Sequence, residues 1–377
     1  MTDAGPTVTS EDGRFMARAL VLAERGRGLC TPNPMVGALV VSEGRVVGEG
    51  FHVRAGAAHA EVEALSAAGG RARGATLYVT LEPCNHQGRT PPCVDAILRA
   101  GIRRVVAALV DPNPRVHSGG AVRLREAGVD VQVGCLEEEA RAVNRIFLVA
   151  MERLRPHVTL KCAMTLDGKI AAFDRSARWI TGEEARSEAH RLRSENDAVI
   201  VGIGTVLADD PALNVRLDTP WPREPFRVVV DSRARLPLTS RLIDAGSAAR
   251  AVVAVADEAP ADKVARLEAR GVTVLACKSR DGRVDVHDLC ARLFALDVTG
   301  ALLEGGSALN WAFIEAGLVD RVAMFVAPVL IGGDRAPTAV GGHGFLLPDA
   351  LRLQQLSARP VGSDWLLEGN VVRPSAA

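Results

Sequence analysis

The sequence predicts two consecutive α/β units. Three observations carry that reading. A chain of 377 residues is longer than a single hydrophobic core usually serves and favours two or three domains. Short apolar runs of strand length alternate with helix-periodic segments along most of its course, the pattern of layered α/β folds. A charged helical stretch, residues 136–155, is followed by a fresh apolar strand at His157 to Ala163, which divides the chain into residues 1–150 and 151–377.

In order, residues 1–12 are small and polar and read as a loose tail. Phe15 to Arg25 has helical periodicity, and Gly26 and Gly28 end it. After the loop Thr31-Pro32-Asn33-Pro34, the runs Val36–Val41 and Arg45–Glu49 flank Ser42-Glu43-Gly44 and predict a hairpin. A helix over His59–Ala68, a strand over Ala75–Thr80, a helix over Val94–Ala100 and a buried strand over Arg104–Val110 follow, then a helix end at Leu124–Ala127 and a strand at Val129–Val133. In the second unit, strands are expected at Ala198–Gly202, Phe226–Asp231, Ala251–Val255, Val272–Ala276, Ala301–Glu304 and Val322–Val326. Helices are expected at Gly182–Leu192, Ala261–Arg270, Val286–Leu296 and Leu309–Ala316.

Composition narrows the function classes. Lysine plus arginine equals aspartate plus glutamate, 45 each, so no global field draws the chain to nucleic acid or an anionic membrane. Residues 1–150 hold 17 arginines, no lysine and 16 acidic residues, a net charge of +1. Seven cysteines dispersed along the chain do not form a disulfide framework and point to a reducing cytoplasm. Charges at Asp3, Glu11, Asp12 and Arg14 precede any apolar run, so a secretory signal is not expected. No uncharged apolar stretch reaches the ~18 residues of a membrane span.

The most specific chemistry lies in the first unit. His59-Ala60-Glu61 opens a predicted helix, and Pro83-Cys84 through Pro92-Cys93 follows at helix-plus-strand distance. Zinc takes nitrogen and thiolate donors in a tetrahedron, and a catalytic zinc leaves one position for water. His59, Cys84 and Cys93 supply three ligands and leave that vacancy. The water then ionises near neutral pH and attacks an amidine-like ring carbon, while Glu61 takes its proton and hands it to departing ammonia without ligating the metal. Alone, an HxE would read as a surface pattern and the cysteines as small core fillers. Together, with both cysteines beside proline, they read as a zinc-dependent hydrolytic deaminase. Eight residues, Asn85 to Pro92, separate the cysteines, where nucleoside and nucleic-acid deaminases commonly have two. His86 in that insert would close the site as a fourth ligand, so a substrate-contacting or supporting role fits it better.

The second unit carries softer motifs: KCAMTLDGKIA from Lys161, GIGTVLADDPALNVR from Gly202, and LEGGSALNW from Leu303. The GIGTVL run fails the dinucleotide fingerprint, because Leu207 stands at the third glycine position, and a tight turn explains it equally. Backbone N–H groups at Gly305-Gly306-Ser307 suit a phosphate or form a plain strand–helix turn. Asp209-Asp210-Pro211 is at least a helix stop. Lys161 on a strand is a candidate catalytic group or a lysine snorkelling to solvent.

Taken together, TPNPMVGALVV, HAEVEAL, PCNHQGRTPPC and the three later segments resemble the bifunctional deaminase/reductase family of riboflavin biosynthesis over almost the whole chain. The resemblance implies a cytidine-deaminase-like three-layer domain followed by a domain similar to dihydrofolate reductase. It implies deamination of a diaminopyrimidinone ribosylamino phosphate, then NADPH-dependent reduction of ribosyl to ribityl. Carried over by motif, Ala163, Trp179, Thr205, Asp209, Ser232, Gly305, Gly306 and Ser307 contact NADPH. Asn33, His86, Arg193, Leu213, Arg216 and Glu304 contact substrate, and Glu61, Lys161 and Asp209 are the catalytic candidates. Arg193 and Arg216 suit the substrate phosphate, since guanidinium grips it bidentately, although each alone reads as a surface charge. Asn33 alone reads as a turn residue. Where the family pattern carries serine two residues before Trp179, this chain has Ala177. A small phosphorylated pyrimidine is the expected partner, with no nucleic acid or membrane, and the chain is expected to form a homo-oligomer. The competing reading is a deaminase of nucleosides or nucleic acid with a non-catalytic nucleotide-binding C-terminal module. The near-neutral first unit and low aromatic content count against its nucleic-acid form.

Overall fold

The computed structural model describes residues 8–88, 90–113, 119–244 and 248–372. The chain divides into two compact units, Met1–Leu154 and Arg155–Ala377.

The first unit runs α1 (Ser10–Glu24), β1 (Gly37–Ser42), β2 (Arg45–Phe51), α2 (Ala60–Ala68), β3 (Thr76–Val79), α3 (Cys93–Ala100), β4 (Arg104–Ala107), α4 (Gly119–Glu126), β5 (Asp130–Val133), α5 (Glu137–Val143) and α6 (Arg145–Arg153). Helix α1 starts inside the segment expected as a tail. The reason is a capping box: Thr9 Oγ1 accepts from the Asp12 N–H, and the Asp12 carboxylate accepts from the Thr9 N–H. The rest of that expected tail, residues 1–7, lies outside the described residues.

The sheet order is β2-β1-β3-β4-β5, with β1 antiparallel to both neighbours and β3, β4 and β5 mutually parallel. Glu43 and Gly44 both take positive φ in the predicted hairpin turn, which matches the twist of the flanking strands. Helices α1 and α2 cover opposite faces of β1 and β2. Gly37 faces the α1 backbone, whereas Gly48 and Gly50, paired with Val40 and Ala38, face α2. This is a three-layer arrangement, and one continuous apolar core spans it from Phe15 to Leu148.

The second unit runs β6 (His157–Thr165), α7 (Glu183–Ser194), β7 (Ala198–Gly202), α8 (Ile203–Asp209), β8 (Phe226–Val230), α9 (Arg241–Asp244), β9 (Ala251–Ala256), α10 (Ala261–Ala269), β10 (Thr273–Cys277), β11 (Ser279–Arg280), β12 (Arg283–Val284), α11 (Val286–Ala295), β13 (Gly300–Leu303), α12 (Ser307–Glu315), β14 (Val319–Ala327), β15 (Arg352–Val361) and β16 (Asp364–Val372). Its nine-stranded sheet has the order β10-β9-β8-β7-β13-β6-β14-β16-β15. The seven strands from β10 to β14 are parallel, and β16 and β15 add antiparallel strands at one edge. The inner parallel strands β9, β8, β7 and β13 are buried on both faces over most of their length, so they read as nearly continuous apolar runs. The GIGTVL segment, expected as a turn, forms α8, with Gly202 at its N-cap and Asp210 in the left-handed region at its end. Such a parallel sheet places binding residues at the carboxyl ends of its strands, and the second unit's motifs lie there.

Candidate functional site

The first unit assembles its site at the starts of two helices. Strand β2 lets α2 come close: a Cβ at Gly48 would stand 2.2 Å from the Ala64 carbonyl oxygen, and one at Gly50 2.4 Å from that of Ala60. His59 is the N-cap of α2, and Cys93 is the first residue of α3. Cys84 comes from the loop after β3. His59 Nδ1 lies 3.2 Å from Cys93 Sγ and 3.5 Å from Cys84 Sγ, and the three donor atoms all lie within 4.8 Å of one another. The Cys93 backbone N–H donates to Cys84 Sγ at 3.3 Å. That N–H and the positive ends of two helices favour thiolate at this place. The hydrogen bond between the two thiols holds Cys84 below the ordinary cysteine range and pushes Cys93 above it. A nitrogen and two sulfurs, clustered with both cysteines buried and the histidine half-buried, are the donor set of a zinc site with an open fourth position.

Glu61 sits in the first turn of α2, 3 % exposed. Burial raises its carboxyl pKa above the ordinary glutamate range, the direction that suits a group that takes and gives a proton. His86 is exposed and stands outside the donor cluster. Asn33 lies in the loop before β1, with its Nδ2 3.0 Å from His52 Nε2.

Four contributors escaped the sequence reading. Thr90 Oγ1 lies 3.3 Å from His59 Nε2 and orients the ring from behind. His52 carries Asn33. The Asn144 side chain pairs with both backbone groups of Met35 at 2.8 Å and pins the Asn33 loop. Buried Glu82 accepts from the N–H groups of Ala121 and Asp111 at 2.9 and 3.3 Å, holding α4 and the segment after β4 next to Cys84. Only Glu82 left a signal, an acid at a strand end directly before Pro83-Cys84.

In the second unit, Glu304 follows β13 and is buried against two cations. Arg193 Nε and Nη2 bond its two oxygens at 2.6 and 3.0 Å, and Lys161 Nζ lies 3.7 Å away. Arg193 Nη1 also donates to the Asn214 carbonyl. The Arg193 guanidinium is therefore spent on the protein's own carboxylate, unlike the free phosphate grip anticipated for it. Arg216 remains exposed, its backbone N–H donating to His190 Nδ1. Leu213 is buried with φ +54°. The sequence-predicted Lys161, Arg193, Leu213, Arg216 and Glu304 are thus brought together.

Beside this cluster lies a cavity of about 810 Å³, walled in part by Thr205, Asp209, Ser232, Gly306 and Ser307. Ala163, Trp179 and Gly305 stand outside its lining. Trp179 is 69 % exposed, with the Arg186 guanidinium 4.6 Å from its ring centre. The turn is tight at Gly305, where a Cβ would lie 2.8 Å from Asn310 Oδ1 and 3.1 Å from Leu309 Cβ, while one at Gly306 would meet Thr205 Oγ1 at an ordinary 3.4 Å. Gly306 caps α12 without any side-chain acceptor, which leaves the first N–H groups of that helix for an anion. A dinucleotide such as NADPH fits this donor set.

Comparison with known proteins agrees with both halves. Residues 9–109 match the cytidine and deoxycytidylate deaminase zinc-binding region, and residues 156–367 match the RibD C-terminal domain. The riboflavin biosynthesis protein RibD of Actinobacillus pleuropneumoniae is 43 % identical over 97 % of this chain and 97 % of its own. That of Aquifex aeolicus is 42 % identical over 94 % and 97 %. The structure of Acinetobacter baumannii RibD superposes with a TM-score of 0.88 at 37 % identity, covering 96 % of this chain and 99 % of that one. A Thermotoga maritima diaminohydroxyphosphoribosylaminopyrimidine deaminase/5-amino-6-(5-phosphoribosylamino)uracil reductase gives 0.82 at 35 %, with the same coverage. The chain belongs to the RibD family, bifunctional enzymes of riboflavin biosynthesis that join a zinc-dependent deaminase to an NADPH-dependent reductase.

Proposed function

We propose that two separate residue sets divide the two reactions, with His59, Glu61, Cys84 and Cys93 serving the deaminase and Lys161, Asp209 and Glu304 the reductase. The observation that carries this is the pairing of a three-donor cluster beside a buried acid in one unit with a dinucleotide-sized cavity beside buried charges in the other.

In the deaminase, the substrate is the diaminopyrimidinone ribosylamino phosphate. Zinc held by His59, Cys84 and Cys93 supplies the Lewis acidity that makes a water nucleophilic at neutral pH. Glu61 takes the proton of that water and delivers it to the ring amine, which leaves as ammonia. Asn33 orients the pyrimidine, and His86 at the rim meets the polar groups attached to it.

In the reductase, NADPH bound along the Gly306–Ser307 turn supplies hydride. The ribosylamino group reacts in its ring-opened imine form. The protein's part would be to hold the imine carbon against the cofactor and to protonate the nitrogen, which would receive the C=N electron pair as the hydride arrived. Glu304 offsets positive charge at the imine, and Lys161, beside it, supplies the proton. Asp209, on the cavity wall at the end of α8, orients the nicotinamide end of the cofactor. Thr205, Ser232, Gly306 and Ser307 line the cofactor's course, and Ala163, Gly305 and Trp179 stand outside that wall. Leu213 and Arg216 hold the sugar-phosphate end of the substrate, and Arg193 acts through Glu304.

The chain also forms a homo-oligomer in the cytoplasm. Strand β15 supports the first statement: it is a sheet edge, exposed from Arg352 to Pro360, with Leu353 and Leu356 uncovered, and such an edge invites a second strand. Seven free, buried cysteines support the second.

The test supplies purified, zinc-loaded protein with the diaminopyrimidinone ribosyl phosphate. Ammonia is expected without NADPH, and NADPH oxidation is expected only after deamination. Absence of ammonia release would overturn the assignment.

A further inference from the structure

The cavity of the second unit has two ends, and only one has an assigned task. From the Gly306–Ser307 turn it extends one way toward Ala171, Ala177 and Asp209, and the other way under Ser232 and the β11–β12 hairpin. The hairpin is tied to the end of β8, because the Val284 N–H donates to Ser232 Oγ at 3.0 Å. Three arginines line this far wall, Arg233, Arg235 and Arg283, against one acidic residue, Asp281. Arg235 is partly committed, its Nε standing 3.6 Å from Asp231 Oδ1. Arg233 and Arg283 have no acidic partner among the described residues.

Sheet order decides which end of a dinucleotide lies here. Hydride must be delivered beside Lys161 on β6 and Glu304 on β13. The order β6-β13-β7-β8 puts the arginine wall three strand spacings away, roughly 14 Å at about 4.8 Å per strand. The nicotinamide therefore lies at the β6 end, and the adenosine lies under the hairpin. NADPH differs from NADH only at that adenosine, by a phosphate on the ribose 2′ oxygen. A phosphate dianion matches the guanidinium fork, whereas a hydroxyl does not need it.

Resting on the NADPH-dependent reading above, we propose that Arg233 and Arg283 clamp the 2′-phosphate and set the preference for NADPH over NADH. Neither residue was singled out by sequence, since an exposed arginine in a turn carries no signal of its own. The clamp is divided between the end of β8 and the hairpin, so Ser232 acts as its hinge post.

The test measures binding by calorimetry on the whole zinc-loaded chain, with NADPH, NADH, 2′,5′-ADP and 5′-AMP as probes. Arg233→Gln and Arg283→Gln are each expected to weaken NADPH and 2′,5′-ADP by about tenfold, and the double variant by roughly a hundredfold. NADH and 5′-AMP affinities stay put, which also shows that the variants are folded. A double variant that keeps the NADPH-to-NADH ratio of the unmodified chain overturns the clamp and leaves the cofactor assignment standing. Equal losses for both cofactors overturn it as well, by showing a structural effect. An unmodified chain without any preference for NADPH overturns the cofactor assignment, and the clamp falls with it.

Discussion

Arg193 holds both oxygens of Glu304, at 2.6 and 3.0 Å, inside a site where the two side chains are 13 % and 10 % exposed. Burial works to raise the Glu304 pKa, but Arg193 and Lys161 outweigh it and hold the group at about 2. The carboxylate is thus a fixed negative charge across the working pH range. Arg193→Met strands it, and losing one partner of a buried pair costs about 3–5 kcal/mol. Urea unfolding of the second unit should shift by that amount, while ammonia release persists. The folded pKa lies below the ordinary value of 4.5, so the stabilisation is complete above that value and is lost as pH falls through about 2. The stability gap between the unmodified chain and Glu304→Gln should therefore be wide at pH 7 and narrower at pH 3. A gap independent of pH would contradict the pairing.

Glu61 is the second case. Glu61→Ala removes the proton carrier and leaves the three donors intact. Ammonia release is expected to fall by about a hundredfold to ten-thousandfold. Zinc content, read by metal analysis, should remain one per chain, and reduction of supplied deaminated intermediate should continue. Chelation should reproduce the loss of ammonia release with reduction intact. Loss of both reactions in either experiment would refute two independent sites.

Asp12 anchors α1 to the sheet. Its carboxylate accepts from Thr9, from Tyr78 Oη at 2.8 Å and from Arg104 at 2.7 and 3.0 Å. Burial opposes ionisation there, and Arg104 with these hydrogen bonds overcomes it, holding the pKa well below the carboxylate range. Asp12→Ala deletes the cap and two side-chain partners together. Its expected cost is about 2–4 kcal/mol in the first unit's unfolding. Thr9→Ala removes only the cap and should cost about 1 kcal/mol. Equal costs for the two variants would show that the Tyr78 and Arg104 bonds contribute nothing.

His52 orients Asn33. Its Nδ1 lies 3.0 Å from the Ala58 carbonyl, which only accepts, so Nδ1 carries the proton and bare Nε2 accepts from the Asn33 amide. Burial lowers the His52 pKa and keeps this neutral form. The Asn33 carbonyl oxygen is thereby committed to its other side. His52→Phe keeps a ring and removes the acceptor. The deaminase KM should rise about tenfold, with kcat within about threefold and zinc unchanged. An unaltered KM would remove His52 from this role.

The parts legible in the sequence were those with short-range causes. Period-2 and period-3.6 runs marked most strands and helices. His59, Glu61, Cys84 and Cys93 were legible because metal chemistry restricts residue type and spacing together. Helix α8 was missed because GIGTVL has too few residues for a helical period to show. The β15–β16 hairpin was missed because its outer strand is exposed along nearly its whole length and lacks an alternating face. The partnership of Arg193 with Glu304 joins residues 111 positions apart, and nothing local distinguishes a buried guanidinium from a solvated one. The support from Thr90, His52 and Asn144 is equally nonlocal: each acts through hydrogen bonds that only the folded chain creates.

The two bare positions of β2 have a consequence for how this enzyme tolerates change. Gly48 and Gly50 set the standoff between strand and helix, and the helix carries a ligand and the acid in its first turn. An alanine at either position inserts a methyl where a carbonyl oxygen already sits, and the cheapest relief is to lift α2. The sheet would survive that lift, because its ladder to β1 runs along the strand's edge and the helix lies on its face. The metal would not, because a tetrahedron accepts errors of only tenths of an ångström. Variants here would accumulate as well-folded chains with an empty deaminase and a working reductase, a defect that an expression screen passes and an ammonia assay exposes.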